Sequence, residues 1–293
     1  MPASSLALVV LAGLIHAVWN IAAKKAGGDV RFATFTGLLM AVIWAPLGIW
    51  LGWQVVPTWG RLEWAFLAMS AILHTLYYIA LLRGYRKADL TVVYPLARGS
   101  APLLSSLVAI WVLGEQITAF GVAGIVAVVA GVFFIAGGTG LIRAAHDPQR
   151  QAGIRTGLFY GVLTGIFIAA YTVVDGYAVK VVLMSPILLD YYGNFVRLMF
   201  LLPATLRDRA TAAHHWRRQW KYAVVVAIIS PVSYVLVLYA MKVAPLSHVA
   251  PAREVSMLFA ALIGGHLLGE RDRLARIAGA TLIALGVMAL AMG

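Results

Sequence analysis

Three arginines of this 293-residue chain stand inside long apolar stretches: Arg98, Arg197 and Arg253. A charge surrounded by hydrocarbon costs several kcal/mol, and such a residue normally faces an interior cavity or a partner. Arg98 lies about eight residues into its stretch, or ~12 Å at 1.5 Å per residue, and Arg253 about seven residues into a later one. A guanidinium offers a planar fork of donors that suits a carboxylate or a phosphate. Arg98 and Arg253 are therefore candidates for holding an anion. Glu254, next to Arg253, is a candidate for holding an amine, or for taking up a proton as a coupling site. The three together carry both signs, which fits a zwitterion better than a lipophilic cation. The plainer reading is structural: each arginine pairs with a neighbouring carboxylate or a helix C-terminus, and Glu254 makes an internal salt bridge.

Other residues could share that work. Trp19, Asn20, Tyr78, Tyr94, Tyr171 and Tyr234 fall within apolar stretches, where aromatic faces can wall a site and stack on a cation. Asp190, Asn194 and Arg197 follow one another at +4 and +7, which puts them on one helical face. They form either an internal polar ladder or part of a cavity rim, with Tyr191 and Tyr192 as wall or gate residues. Asp175 ends an apolar run and is expected at the membrane interface. His16 and His248 are isolated, and packing is the default reading for each. Pro95, Pro102 and Pro251 free a carbonyl one turn back and are candidate helix breaks or gates. Trp44, Trp50, Trp53, Trp59 and Trp64 are expected in the interfacial belt. There is no cysteine, so disulfides, thiolate metal sites and thiol catalysis are excluded. No cofactor or metal is expected.

The elements that must position these residues follow from composition. The chain is 62% hydrophobic and 12% charged, with a mean hydropathy of +0.89. Soluble domains carry ~25% charged residues, so the reading is an all-α integral membrane protein. A helix spanning the hydrocarbon needs ~20 apolar residues. Ten stretches qualify: Ser4–Ala23, Phe32–Trp53, Leu62–Leu82, Leu90–Leu113, Ile117–Ala136, Thr156–Val174, Ser185–Leu206, Lys221–Met241, Leu246–Leu268 and Leu274–Met292. The first lacks a basic n-region and an A-x-A site and is read as a helix, not a signal peptide.

The net charge of +12 suggests nucleic acid until the basic residues are placed. Seventeen of the 23 lie in alternate connections: Lys24, Lys25 and Arg31; Arg83, Arg86 and Lys87; Arg143, Arg150 and Arg155; Arg207, Arg209, Arg217, Arg218 and Lys221; Arg271, Arg273 and Arg276. Arg61, Lys180 and Lys242 lie in the others. Such an asymmetry marks the cytoplasmic face and puts both termini outside an inner, plasma-type membrane. No continuous basic stripe remains for nucleic acid.

The two halves also resemble each other. Leu82–Leu90 (LRGYRKADL) parallels Leu238–Leu246 (LYAMKVAPL), and Leu96-Ala97-Arg98 parallels Pro251-Ala252-Arg253. Gly13 pairs with Gly165, Trp19 with Tyr171, Asn20 with Thr172, and Tyr78 with Tyr234. Gly124 and Gly131 pair with Gly279 and Gly286, and Leu113-Gly114-Glu115 with Leu268-Gly269-Glu270. Five spans per half is an odd number, so the second half is inverted relative to the first. Inverted repeats build many secondary transporters, with substrate held near the midplane. The expected division is a first repeat over 1–137, a basic linker over 138–155 and a second repeat over 156–293. Gly157, Gly161 and Gly165 form a double G-x-x-x-G for close helix approach. That seam is read as intramolecular in a monomer, with a homodimer as the alternative.

Ten spans in a 5 + 5 inverted repeat, with Leu-Gly-Glu closing the fourth and ninth, resemble the EamA family of the drug/metabolite transporter superfamily. His16-Ala17-Val18-Trp19-Asn20 and Tyr94-Pro95-Leu96-Ala97-Arg98 carry the same resemblance. It implies a helical carrier whose central cavity is lined mainly by spans 1, 3, 4, 6, 8 and 9. It also implies movement of small metabolites, often export of amino-acid-like compounds. Many relatives are drawn with cytoplasmic termini, which the charge distribution here reverses. The expected function is alternating-access transport, in the export direction, of an amino acid or related carboxylate; efflux of drugs or cationic compounds is the alternative. No Walker loop supports ATP-driven pumping, and the scattered histidines do not form a membrane-enzyme site.

Overall fold

A computed structural model describes residues 1–27, 29–88, 90–136, 151–268 and 273–293, and among these every regular element is helical. The elements are α1 (Ala3–Ala26), α2 (Val30–Ile43), α3 (Ala45–Val55) with a 3₁₀ turn (Val56–Thr58), α4 (Arg61–Lys87), α5 (Leu90–Trp111) and α6 (Ala119–Ile135). They continue with α7 (Gln151–Lys180), α8 (Pro186–Leu206), α9 (Arg209–Val243), α10 (Leu246–Ala252), α11 (Val255–Leu268) and α12 (Arg273–Met292). Chains this apolar fold to helices because hydrocarbon offers no partner for a free N–H or C=O. Polar residues mark the starts: Asp29 accepts from the N–H groups of Arg31 and Phe32, Thr118 from Gly121, and Asp208 from Thr211.

Seven helical segments among the described residues are long and apolar enough to cross a bilayer, one of them the α10–α11 stretch Leu246–Ile263, or eight if the bent pair α2 and α3 counts as one. α6 is apolar but has 17 residues, and α8 carries the Asp190, Asn194 and Arg197 set. The stretch expected as one helix at Phe32–Trp53 is bent by 66° between α2 and α3. Pro46, in the first turn of α3, has no N–H for the carbonyl one turn back. The stretch expected at Leu246–Leu268 is divided into α10 and α11 at Arg253–Glu254.

The proline expectations need correcting in one place. α5 runs without interruption through Pro95 and Pro102, so these residues do not break their helix. Each proline removes one hydrogen bond, and leaving the helix inside an apolar bundle would strand several more. Only Pro251 stands beside a break.

Close packing rests on glycine. A Cβ added to Gly131 would come 2.6 Å from the Gly279 carbonyl oxygen, and one on Gly124 would come 2.8 Å from that of Gly286. α6 and α12 therefore lie antiparallel at backbone contact. Gly157, Gly161 and Gly165 of α7 face Val92, Leu96 and Ser100 of α5, so that seam is occupied within the chain. Gly13 of α1 faces Val255 and Ser256 at the start of α11.

Contacts divide the connectors into two groups at opposite ends of the helices. At one end Arg31 bridges to Asp29 (3.1 Å) and Asp208 (3.4 Å). At the other the N-terminal amine donates to Ala291 O (3.1 Å), and Glu115 forms a clasp. Its two carboxylate oxygens accept from Leu246 N and Ser247 N, each at 2.8 Å, and Lys180 Nζ lies 3.4 Å away. The acid after Gly114 thus caps α10, far along the chain. The Gly269-Glu270 pair and the 138–150 part of the linker, with Arg143, Arg150 and Arg271, lie outside the described residues.

Burial opposes ionisation of Glu115, but the N–H donors of Ser247 and Leu246 and the nearby Lys180 outweigh it and hold the carboxyl below its ordinary value. A depressed native value contributes stability that is complete above the unfolded glutamate value, about pH 4.3, and is lost as pH falls through the native one. Glu115→Gln is expected to cost about 1.5–3 kcal/mol and to flatten the acid limb of thermal unfolding measured in detergent between pH 3 and 7.

Candidate functional site: a central cavity

The middle of the bundle holds a cavity of about 500 Å³. Its lining runs from mid-depth towards one end: Ala12 to Ala23 on α1, His74 to Tyr85 on α4, Asp190 to Leu201 on α8 and Val226 to Val237 on α9. That end carries Lys24, Arg31 and Asp208; the Glu115 clasp closes the other.

All of the candidate binding residues reach this one space: Trp19, Asn20, Tyr78, Tyr94, Arg98, Tyr171, Tyr234, Arg253 and Glu254. The expected spans contribute, and so do two that the resemblance did not include, through Phe32 to Met40 of α2 and the polar face of α8. The α8 set is both ladder and lining. Arg197 Nη2 lies 3.1 Å from Asp190 Oδ1, and Asn194 Nδ2 donates to Gly37 O at 2.8 Å, tying α8 to α2. Pro95, Pro102 and Pro251 do not line the cavity. Thr172, the repeat partner of Asn20, is buried against its own helix and donates to Ile168 O.

Arg253 and Glu254, at the turn between α10 and α11, both line the cavity. Arg98 Nη2 lies 3.7 Å from Glu254 Oε2, and Arg253 Nε lies 3.9 Å from Glu254 Oε1. The two guanidinium groups therefore share one carboxylate, itself 2% exposed. Neither contact is short enough for a hydrogen bond, and Arg98 Nε and Glu254 Oε2 are buried without a hydrogen-bond partner.

Aromatic residues form the rest of the wall. Trp19 Nε1 donates to Ser233 Oγ (3.2 Å), Tyr78 OH to Asp29 O (3.0 Å), and Tyr94 OH approaches Met257 Sδ (3.7 Å). His16 lines the cavity with its ring edge-on to Trp19, 4.6 Å between centroids. His248 is buried outside it, beside Ser247.

Several residues were missed or misplaced by sequence. His74 and Tyr77 of α4 line the cavity, and His74 stacks on Tyr171 at 3.9 Å. The available signal was position: His74 lies one turn before Tyr78 and so shares its face. Asp175, expected at the interface, is wholly buried, and Tyr234 OH donates to its Oδ2. Trp50 and Trp53 are exposed as a belt residue would be, but Trp44 is turned inwards and donates to Ala227 O at 2.9 Å. Tyr191 packs on Gly48 and lines a smaller side cavity of about 220 Å³, not the central one.

The model of the EamA-like transporter family matches residues 3–137 and 155–292, which is nearly all of both halves. The chain belongs to the EamA-like transporter family. Its apolar helices and that membership together make it a multi-pass membrane protein of a transporter family. A solved crystal structure aligns over 100% of this chain and 98% of its own length, with a TM-score of 0.76 at 14% identity, and shows the same fold. A search of curated proteins finds no match.

Arg197→Leu is expected to leave Asp190 buried without its cation and to cost about 3–5 kcal/mol. Asp190→Leu combined with Arg197→Leu should recover most of that loss. Thermal melts of the two EamA-family variants in detergent separate these outcomes.

Proposed function

We propose that this EamA-family protein is a secondary active transporter that moves an amino acid or related carboxylate by alternating access. The observation that carries the reading is the charge at the centre of the cavity. Arg197 has Asp190 to itself, whereas Arg98 and Arg253 divide Glu254 between them. Among the described residues that line the cavity, three arginines thus face two carboxylates, which leaves one positive charge over in a space of about 500 Å³ that suits a small metabolite. A substrate carboxylate would supply the missing anion through charge-assisted bonds. Glu254 and the aromatic wall of Trp19, Tyr78, Tyr94, Tyr171 and Tyr234 are then available to a substrate amine.

Ten spans in two inverted five-helix repeats are the architecture we assign, with the chain acting as a monomer. Two sets of contacts support it. The correspondence of Gly124 with Gly279 and of Gly131 with Gly286 turns the Gly124–Gly286 contact into the Gly279–Gly131 contact. It likewise turns the approach of Gly13 to Val255 and Ser256 into that of Gly165 to Ser100 and Ala101. The basic connections favour a cytoplasmic position for the end towards which the cavity extends. The cavity would then load from the cytoplasm, which is where an exporter takes on its cargo.

The test is counterflow in proteoliposomes, using radiolabelled amino acids, dicarboxylates and tetraphenylphosphonium as separate probes. Exchange of an amino acid or a carboxylate is expected, reduced about tenfold or more in Arg98→Ala and Arg253→Ala, since a charged hydrogen bond contributes ~1.5–3 kcal/mol. Exchange confined to tetraphenylphosphonium, or wild-type exchange in both variants, would overturn the assignment.

A further inference from the structure

Behind the cavity wall, where α4, α7 and α9 meet, lies a second polar cluster that the anion site does not use. Asp175 of α7 is 0% exposed. Its Oδ2 accepts from Tyr234 OH of α9 and lies 3.9 Å from Nε2 of His74 on α4, while its Oδ1 is buried without a partner. His74 and Tyr234 line the cavity; Asp175 does not. The imidazole therefore stands between the buried carboxylate and the space open to substrate.

The hydrogen bond on the other side of the ring decides which nitrogen holds a proton. Nδ1 of His74 lies 2.9 Å from the carbonyl oxygen of Ser70. A carbonyl can only accept, so Nδ1 carries a hydrogen and donates it. A neutral His74 in that tautomer turns a bare Nε2 lone pair towards the Asp175 carboxylate. Two facing lone pairs in an apolar interior repel, and one proton between them removes the conflict. It can sit on Nε2, giving an imidazolium against a carboxylate, or on Asp175, giving a carboxylic acid that faces a neutral ring. Either way the pair holds one proton and is neutral overall; on losing it to cavity water through Nε2, the pair carries one negative charge.

We propose that His74 and Asp175 together bind one exchangeable proton and that this pair, not Glu254, is the proton-coupling site of the carrier. The inference rests on the carrier reading above. Glu254 is poorly suited to the task, because its protonation would leave Arg98 and Arg253 with no counter-charge between them. The pair sits within reach of the substrate charge. The titratable and charged groups that share the cavity lining with it are His16 of α1, Tyr77, Tyr78 and Tyr85 of α4, Tyr94 and Arg98 of α5, Tyr171 of α7, Asp190 and Arg197 of α8, Tyr234 of α9, and Arg253 and Glu254 at the α10–α11 turn. Seating an anion on the arginines changes the field at Nε2 and so links proton occupancy to substrate occupancy.

The direct probe is the proton itself. In full-length protein labelled with ¹⁵N-histidine and held in nanodiscs, His74 is expected to keep Nδ1 protonated between pH 5 and 9. Its Nε2 signal should respond to pH, with a midpoint displaced by about one unit or more in Asp175→Asn, the size of effect a neighbouring charge exerts. A bare Nδ1 in the wild type, an Nε2 signal indifferent to pH, or an identical response in Asp175→Asn would each overturn the proposal. The first two need no variant and so do not depend on Asp175→Asn folding. In pyranine-loaded proteoliposomes given the same amino acids and carboxylates, substrate-driven proton movement is expected in wild type. Asp175→Asn should lose it while retaining counterflow. Counterflow in wild type without proton movement would overturn the proton site and leave the carrier reading intact. No counterflow from any probe would overturn the carrier reading, with the nanodisc measurement still deciding whether the pair binds a proton.

Discussion

Burying Arg98, Arg253 and Glu254 in one apolar bundle sets the terms for much of the rest of this molecule. An unpaired charge in that setting costs several kcal/mol, so the helices must bring both arginines to the one carboxylate and keep hydrocarbon away from all three. α5 delivers Arg98 from one half of the chain and the α10–α11 break delivers Arg253 and Glu254 from the other. The pairing is incomplete by design of the charge count: two cations and one anion, with Arg98 Nε and Glu254 Oε2 lacking hydrogen-bond partners. A fully compensated cluster would be a structural strut. Under the proposed function, the surplus cation is what would attract a further anion.

The same requirement explains why the backbone approaches are so close. Polar groups can be withheld from lipid only if the helices around them leave no gaps, and glycine at the α6–α12 and α5–α7 contacts allows that packing. It also explains the asymmetry of α5 and the α10–α11 pair. α5 has two internal prolines yet stays continuous, since leaving the helix inside an apolar bundle would strand further backbone groups, whereas the later segment turns at Arg253–Glu254. Glu115, reaching across to the N–H groups of Leu246 and Ser247, then secures the start of the short helix α10 at the closed end.

The fold was largely legible in the sequence because its cause is local. Apolar stretches of membrane length, capping residues such as Asp29 and Thr118, and paired glycines at matching positions can all be read one element at a time. The arginines and the aromatic wall were legible for a related reason: a charge or a tyrosine inside an apolar run has few places to go. His74 and Asp175 were not. A histidine in such a run reads as packing and an aspartate at its end reads as an interface residue, until α4, α7 and α9 are seen to bring them together. The continuity of α5 through Pro95 and Pro102 was likewise hidden, since a proline's effect depends on what surrounds the carbonyl it frees.

What the sequence determined by itself was the chemistry available and its one-dimensional order: helices that exclude water, basic connections on alternate sides, and isolated charges inside three stretches. Periodicity and hydrophobicity act over a single helix, so they suffice for that much. Tertiary structure alone decided who shares a partner with whom. It assigned Asp190 to Arg197, left Glu254 divided between Arg98 and Arg253, and turned His74 towards Asp175. Those outcomes depend on which helix faces meet, and a few ångströms of separation between charges in a low-dielectric interior change their interaction strongly.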